Sequence, residues 1–88
     1  MLVEHIVLNN KLGLHVRAAS KLVDLSNRFS SHIELILNDK QISAKSILNV
    51  MLLAAGKGCH LTIKVDGADE AEAMAALKTL FENNFGET

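Results

Sequence analysis

Gly13-Leu14-His15-Val16-Arg17-Ala18-Ala19-Ser20-Lys21-Leu22-Val23-Asp24 is where the chain changes period. Upstream, Val3 to Leu8 alternates, with Ile6 and Leu8 on one side and His5 and Val7 on the other, as a β-strand does. The polar segment Asn9-Asn10-Lys11-Leu12-Gly13 makes a connection. From about Val16 the apolar spacing becomes helical. Ala19, Leu22, Val23 and Ser26 share a face, Leu25 lies at its margin, and Lys21, Asp24 and Arg28 fall outside it, which predicts a helix to about Asn27. A half-buried strand followed by a half-buried helix demands a two-layer solution, and the rest of the chain repeats the pattern.

Phe29 is placed to plug the core after this helix, and Ser30-Ser31 forms a turn. His32 to Leu37 alternates, with Ile33, Leu35 and Leu37 inward. Asn38-Asp39 is a two-residue turn, and Lys40 to Ala44 returns as the second arm of a hairpin, Ile42 and Ala44 inward. Ser46 then precedes Ile47-Leu48-Asn49-Val50-Met51-Leu52-Leu53-Ala54, a short helix stopped by Gly56-Lys57-Gly58; Ser is a preferred N-cap because its hydroxyl accepts from an unpaired first-turn amide. Cys59 to Val65 is a strand with Leu61, Ile63 and Val65 inward. After the Asp66-Gly67-Ala68-Asp69 turn, Asp69 and Glu70 suit a helix start as cap and as anions. The last helix buries Ala73, Leu77, Leu80 and Phe81 and reaches about Asn83, leaving Asn84 to Thr88 as a tail expected to fray. Four one-faced strands and three helices make a two-layer α+β domain, with an antiparallel or mixed sheet wet on one face.

At 88 residues the chain is one domain, residues 1–88, with 49% apolar residues to build one core. Its longest apolar runs are too short for a bilayer, no secretory leader is visible, and a single cysteine, Cys59, offers no disulfide framework, so a cytoplasmic, reducing location is expected. The net charge of −1 and the lack of Trp and Tyr argue against nucleic-acid binding by bulk charge or base stacking. The charge is uneven. Residues 1–60 hold seven Lys/Arg against four Asp/Glu, residues 61–88 two against six, and the basic part contains His15.

His15 is the candidate centre of chemistry. The first amides of a helix lack internal partners and the helix dipole adds partial positive charge, so a helix start is an anion site. Arg17 adds a guanidinium suited to phosphate oxygens. The positive helix end disfavours imidazolium, which predicts a neutral, nucleophilic His15 able to carry a transient phosphoryl group. A solvated cap-region histidine would leave the same spacing. His5, His32 and His60 lie in strands and read as solvent-facing, Cys59-His60 are strand neighbours pointing to opposite faces, and no Cys-x-x-Cys or His-x-x-x-His occurs, so no metal site is expected. The Ser46 helix is apolar nearly all round, which predicts that Ile47, Leu48 and Met51 leave an exposed docking patch.

Gly13-Leu14-His15-Val16-Arg17-Ala18-Ala19 resembles the active-site motif of the histidine-containing phosphocarrier (HPr) family of the bacterial phosphoenolpyruvate-dependent phosphotransferase system. Ala44-Lys45-Ser46-Ile47-Leu48-Asn49-Val50-Met51-Leu52-Leu53-Ala54-Ala55-Gly56-Lys57-Gly58 looks like its regulatory serine region, and Val65-Asp66-Gly67-Ala68-Asp69-Glu70 like its last strand-to-helix turn. The resemblance covers essentially the whole chain. It implies an α+β open-faced β-sandwich, a four-stranded antiparallel sheet covered on one face by three helices in the order βαββαβα. It implies a phosphoryl carrier, not an enzyme, which uses no cofactor. His15 would accept a phosphoryl group on Nδ1 from phosphorylated enzyme I and pass it to an enzyme II A-type component, with Arg17 and the amides around Val16 and Arg17 holding the phosphate. Val16, Ala19, Ser20, Ile47, Leu48 and Met51 would form the docking surface of a monomer that neither inserts in membranes nor binds nucleic acid. Ser46 would be either a plain N-cap or also a regulatory phosphorylation site for an HPr kinase/phosphorylase. The alternative is a nitrogen-branch or mainly regulatory HPr-like protein acting through partner binding and Ser46 phosphorylation. One departure stands out: Ala18 occupies a position where the family often has Pro, which restores one amide at the helix start.

Overall fold

The structure, a computed structural model, describes residues 1–87. Its elements follow in the order β1 (Leu2–Val7), α1 (Val16–Ser26), β2 (His32–Leu37), β3 (Lys40–Ser43), α2 (Ile47–Leu52), β4 (His60–Asp66) and α3 (Glu70–Glu82), closed by a short 3-10 turn, Asn84–Gly86. The four strands form one antiparallel sheet in the order β1-β4-β2-β3. Register sets the core. Leu61, Ile63 and Val65 of the central strand β4 lie opposite Ile6, Glu4 and Leu2 of β1, and Leu35 and Ile33 of β2 flank Ile63 and Val65 from the other side. The period-2 side-chain rule then puts this apolar band on one face and Val3, His5, His60, Thr62, Lys64 and His32 on the other. Only the apolar face carries helices, so the domain is an open-faced α+β sandwich. His5, His32 and His60 are all exposed, on three different strands.

Against the sheet α1 buries Ala18, Ala19, Leu22 and Ser26, a stripe at spacings of three and four residues. Ala18 joins this stripe and Val23 is only half-buried, so the inward face is turned slightly from that expected. From α2, Val50 and then Leu53 reach the core, and α3 supplies Ala73, Met74, Leu77 and Phe81. Helix α2 ends at Leu52, earlier than expected, because Ala54 takes a positive φ of 51°. That break lets Leu53 and Ala55, both buried, turn inward where a continued helix would not.

The start of α3 corrects a second expectation. Asp69 stands at the N-cap position, but its side chain makes no cap bond. Its carboxylate instead reaches the α1–β2 turn, accepting the amides of Ser30 and Ser31, each at 2.9 Å, and the Ser31 hydroxyl. The Glu70 carboxylate takes the Gly67 amide at 3.1 Å. The hydrogen bond from the Ser31 hydroxyl, followed by that from the Ser30 amide, holds the Asp69 carboxyl at about 2, below its ordinary 3.8. A carboxylate whose folded pKa is depressed stabilises the fold fully above the unfolded value and loses that contribution as pH falls through the folded one. Denaturant midpoints are therefore expected to fall between about pH 4 and pH 2, whereas Asp69→Asn should start lower at pH 6 and lose less over that window. Equal slopes for the two proteins in a pH series of urea melts would count against this tie.

The expected fraying tail is the third correction. Asn84 and Phe85 both have positive φ, 51° and 58°, and the turn they make drives Phe85 into the core, where its ring meets Phe81 edge-on at 4.9 Å. Burying a Phe side chain contributes about 1.5–3 kcal/mol, and an aromatic pair about 0.5–1.5 more. Together these outweigh roughly 1–2 kcal/mol for one L-residue in left-handed backbone; Asn84 tolerates that region more readily. Lys21 Nζ donates to the Phe85 carbonyl at 2.6 Å and fastens the turn to α1. Residues 84–87 are thus part of the fold; Thr88 lies outside the described residues.

Candidate functional site

The connection 9–14 delivers His15 to the start of α1 under close control. Gly13 lies so near the end of α2 that a Cβ there would sit 2.5 Å from the Ala55 carbonyl oxygen. The Leu14 amide donates to that same oxygen at 2.9 Å, and buried Asn10 Nδ2 donates to the Gly13 carbonyl at 2.6 Å. His15 follows as the N-cap residue of α1, in extended conformation (φ −73°, ψ 175°), with no cap bond from its side chain. The first backbone bond of the helix runs from the Ala19 amide to the His15 carbonyl at 2.8 Å. The amides of Val16, Arg17 and Ala18 therefore precede the ladder and point out of the helix start, where an anion would meet them. Ala18 itself is fully buried, so Ala in place of Pro adds a donor at the site and still packs on the sheet.

The imidazole is 26% exposed, and its Nε2 lies 2.5 Å from Glu87 Oε2. The other carboxylate oxygen accepts from Asn10 Nδ2 at 3.1 Å. Burial favours the neutral form of Glu87, but the hydrogen bonds from Asn10 and then His15 outweigh it, and its pKa falls below the ordinary glutamate value. The Asn10 amide must turn its nitrogen to these two partners, because both are oxygens that only accept.

Leu12, His15, Val16, Arg17 and Glu87 line one cleft of about 400 Å³. A neighbouring cleft of about 530 Å³ is bordered by Lys11, Leu12, Arg17, Lys21, Gly86 and Glu87. Three cationic side chains thus surround a single carboxylate beside the imidazole, a setting that attracts a further anion. Arg17 is exposed and borders both clefts.

Of the residues expected to dock partners, Val16 is 63% exposed in the His15 cleft and Ser20 is half-buried. Ala19 is fully buried in the α1 stripe and presents no surface, so it is removed from the docking set. Ile47, Leu48 and Met51 are exposed on α2, which packs beside α1, and Leu48 is the most open at 75%. Leu12 and Leu52, not anticipated, are exposed as well. Ser46 is the α2 N-cap, its hydroxyl accepting from the Asn49 amide at 3.4 Å, a long bond; it is half-buried and lies outside the His15 cleft. Asn10 and Glu87 were missed altogether. The one legible clue to Glu87 was Phe85, an apolar residue in an otherwise polar tail. Among the described residues, no three His, Cys, Asp or Glu gather as metal ligands, and no helix is long and apolar enough to cross a membrane.

Comparison with known proteins agrees with this architecture. A family model described as the PTS HPr component phosphorylation site matches residues 3–83. The Phosphocarrier protein HPr of Cupriavidus necator is 53% identical over 78 residues, covering 89% of this chain and 88% of that one. Its counterpart in Xylella fastidiosa (strain 9a5c) is 47% identical over 87 residues, covering 99% and 98%. The crystal structure of HPr-C-His from Thermoanaerobacter tengcongensis superposes with a TM-score of 0.97 at 39% identity, over 100% of this chain and 99% of that one. With fold, order of elements and sequence in agreement along nearly its whole length, this chain belongs to the HPr family of phosphocarrier proteins of the phosphotransferase system.

Proposed function

We propose that His15 accepts a phosphoryl group on Nδ1 from phosphorylated enzyme I, which draws it from phosphoenolpyruvate, and passes it to an enzyme II A-type protein. The observation that carries this reading is the position of His15: a partly exposed imidazole at the N-cap of an eleven-residue helix whose first amides stand free of the ladder, with Arg17 in the same cleft. A phosphoryl group on Nδ1 brings negative charge to the helix start, where those amides and the Arg17 guanidinium receive it. The chain then acts as a protein reactant, its phosphohistidine formed by one partner and consumed by the next. Incubation with phosphoenolpyruvate and enzyme I should give an acid-labile, base-stable phosphate that chases onto an A-type acceptor. No incorporation would refute the assignment.

Val16, Ser20, Ile47, Leu48 and Met51 form the proposed docking surface beside His15. Leu48→Asp places a charge at its most exposed point and is expected to weaken transfer with both partners about tenfold or more, seen as a raised KM. Thermal stability should hardly change, because exposed substitutions usually stay within about 0.5 kcal/mol. Unaltered kinetics would move the docking surface elsewhere. Ser46 is proposed as a regulatory site for an HPr kinase/phosphorylase-type enzyme. A phosphate at the start of α2 is compatible with the helix end, yet sets a dianion inside the apolar patch, opposing partner binding.

A further inference from the structure

The family assignment leaves one part of the site without a role: the segment 84–87, which takes two consecutive non-glycine residues of positive φ to bring a carboxylate onto His15. Backbone of this kind persists where surrounding contacts over-determine it, and such places cluster at functional sites. Here the contacts are the buried Phe85 ring, the Lys21 bond to its carbonyl, and the Asn10 amide that grips one oxygen of Glu87 and the Gly13 carbonyl at once. The second oxygen is thereby aimed at Nε2 of His15.

We propose that Glu87 is a positioning residue for His15: its carboxylate accepts the Nε2–H of the imidazole, fixes the ring, and leaves Nδ1 as the nitrogen with a free lone pair. This rests on the reading of His15 as the phosphoryl acceptor. An ionised carboxylate has no proton to give, so a 2.5 Å contact requires the hydrogen to sit on Nε2. In the transfer step the Nδ1 lone pair forms the P–N bond while the bond from phosphorus to the donor breaks and its electron pair leaves with the donor. No proton is displaced. The Nε2–H stays on the ring, which becomes a phosphorylated imidazolium, and its positive charge is met by the Glu87 carboxylate already in place. The return step reverses this balance, so the same contact serves acceptance and donation. Asn10 is the support one step further out, because without it the carboxylate is held at one oxygen only.

The test uses the full chain, 15N-labelled, alongside Glu87→Ala and Glu87→Gln. In wild type with a singly protonated ring, two-bond nitrogen–proton spectra should show His15 protonated at Nε2, with a slowly exchanging Nε2–H. Glu87→Ala should lose that protected proton and accept phosphoryl groups from enzyme I roughly ten- to a hundredfold more slowly, as small misplacements of a reacting group do. Glu87→Gln, which keeps one accepting oxygen but turns an NH₂ toward a donor, should recover part of both signals. Melting curves should be little altered, because Phe85 stays buried. A wild-type ring protonated at Nδ1, or Glu87→Ala with the wild-type rate and proton exchange, would overturn the proposal. If wild type takes no phosphoryl group at all, the carrier reading itself fails and this role falls with it, whereas phosphorylation at equal rates in wild type and Glu87→Ala removes this role alone.

Discussion

His15→Ala is expected to abolish phosphoryl incorporation from phosphoenolpyruvate and enzyme I while leaving the protein folded. Loss of a covalent nucleophile costs rates on the order of 10⁶, so no label should rise above background. The fold should tolerate the change for a local reason. The His15 side chain makes no cap bond to α1, and the helix holds through the Ala19 amide and the His15 backbone carbonyl, which the substitution keeps. A variant in which His5, His32 and His60 are all replaced is the necessary companion. These three lie exposed on the open face of the sheet, opposite the helices, and their removal should leave acceptance unchanged. Acid-labile phosphate on His15→Ala would mean that another nitrogen carries the group, and the arrangement of helix start, Arg17 and cleft would need another explanation.

How far the sequence could lead to this site is clear from particular residues. The change of period at His15 was legible because Leu22 and Ser26 mark the core side of α1 by local spacing alone, and strands β2 and β4 were legible because their alternation is dictated by a sheet with one wet face. Ser46 was legible as a cap for the same local reason, and the exposed Leu48 because α2 carries more apolar residues than one face can bury. What failed was whatever depends on a distant partner. Asp69 has the look of a cap, but its carboxylate is claimed by Ser30 and Ser31, some forty residues earlier in the chain. Ala54 is a good helix former by propensity, yet tertiary demand for Leu53 in the core forces it out of the helix. Glu87 is the plainest case. Phe85, two residues before it, hints that the tail docks, but no residue nearby names His15, 72 positions away, as the partner; the docking of Phe85 against Phe81 brings the two together. The resemblance to the family points to His15 and its surroundings at the helix start, but not to the carboxylate behind the ring.

Gly13→Ala is expected to be strongly destabilising although it adds a single methyl group. Gly13 has a φ of 66°, which costs an L-residue roughly 1–2 kcal/mol. The added Cβ would stand 2.5 Å from the Ala55 carbonyl oxygen and 2.8 Å from Gly56 Cα, both backbone atoms that cannot rotate away as a side-chain end could. Relief therefore requires the 9–14 connection to part from the end of α2, which puts the Leu14–Ala55 and Asn10–Gly13 hydrogen bonds at risk. A total of about 3–4 kcal/mol follows from adding backbone strain to forced displacement, and for a domain of this size it lowers Tm by roughly 15–30 °C. Gly56→Ala is the control, since a Cβ there meets nothing within 4 Å, and its Tm should move by only a few degrees. Because Asn10 holds both Gly13 and Glu87, the damage should spread to the chemistry: at a temperature where Gly13→Ala is still folded, phosphoryl acceptance should fall as it does in Glu87→Ala, and the protected Nε2–H of His15 should be lost with it. A Gly13→Ala protein that melts lower but keeps that proton and the wild-type rate would show that the turn supports the fold without aiming the imidazole.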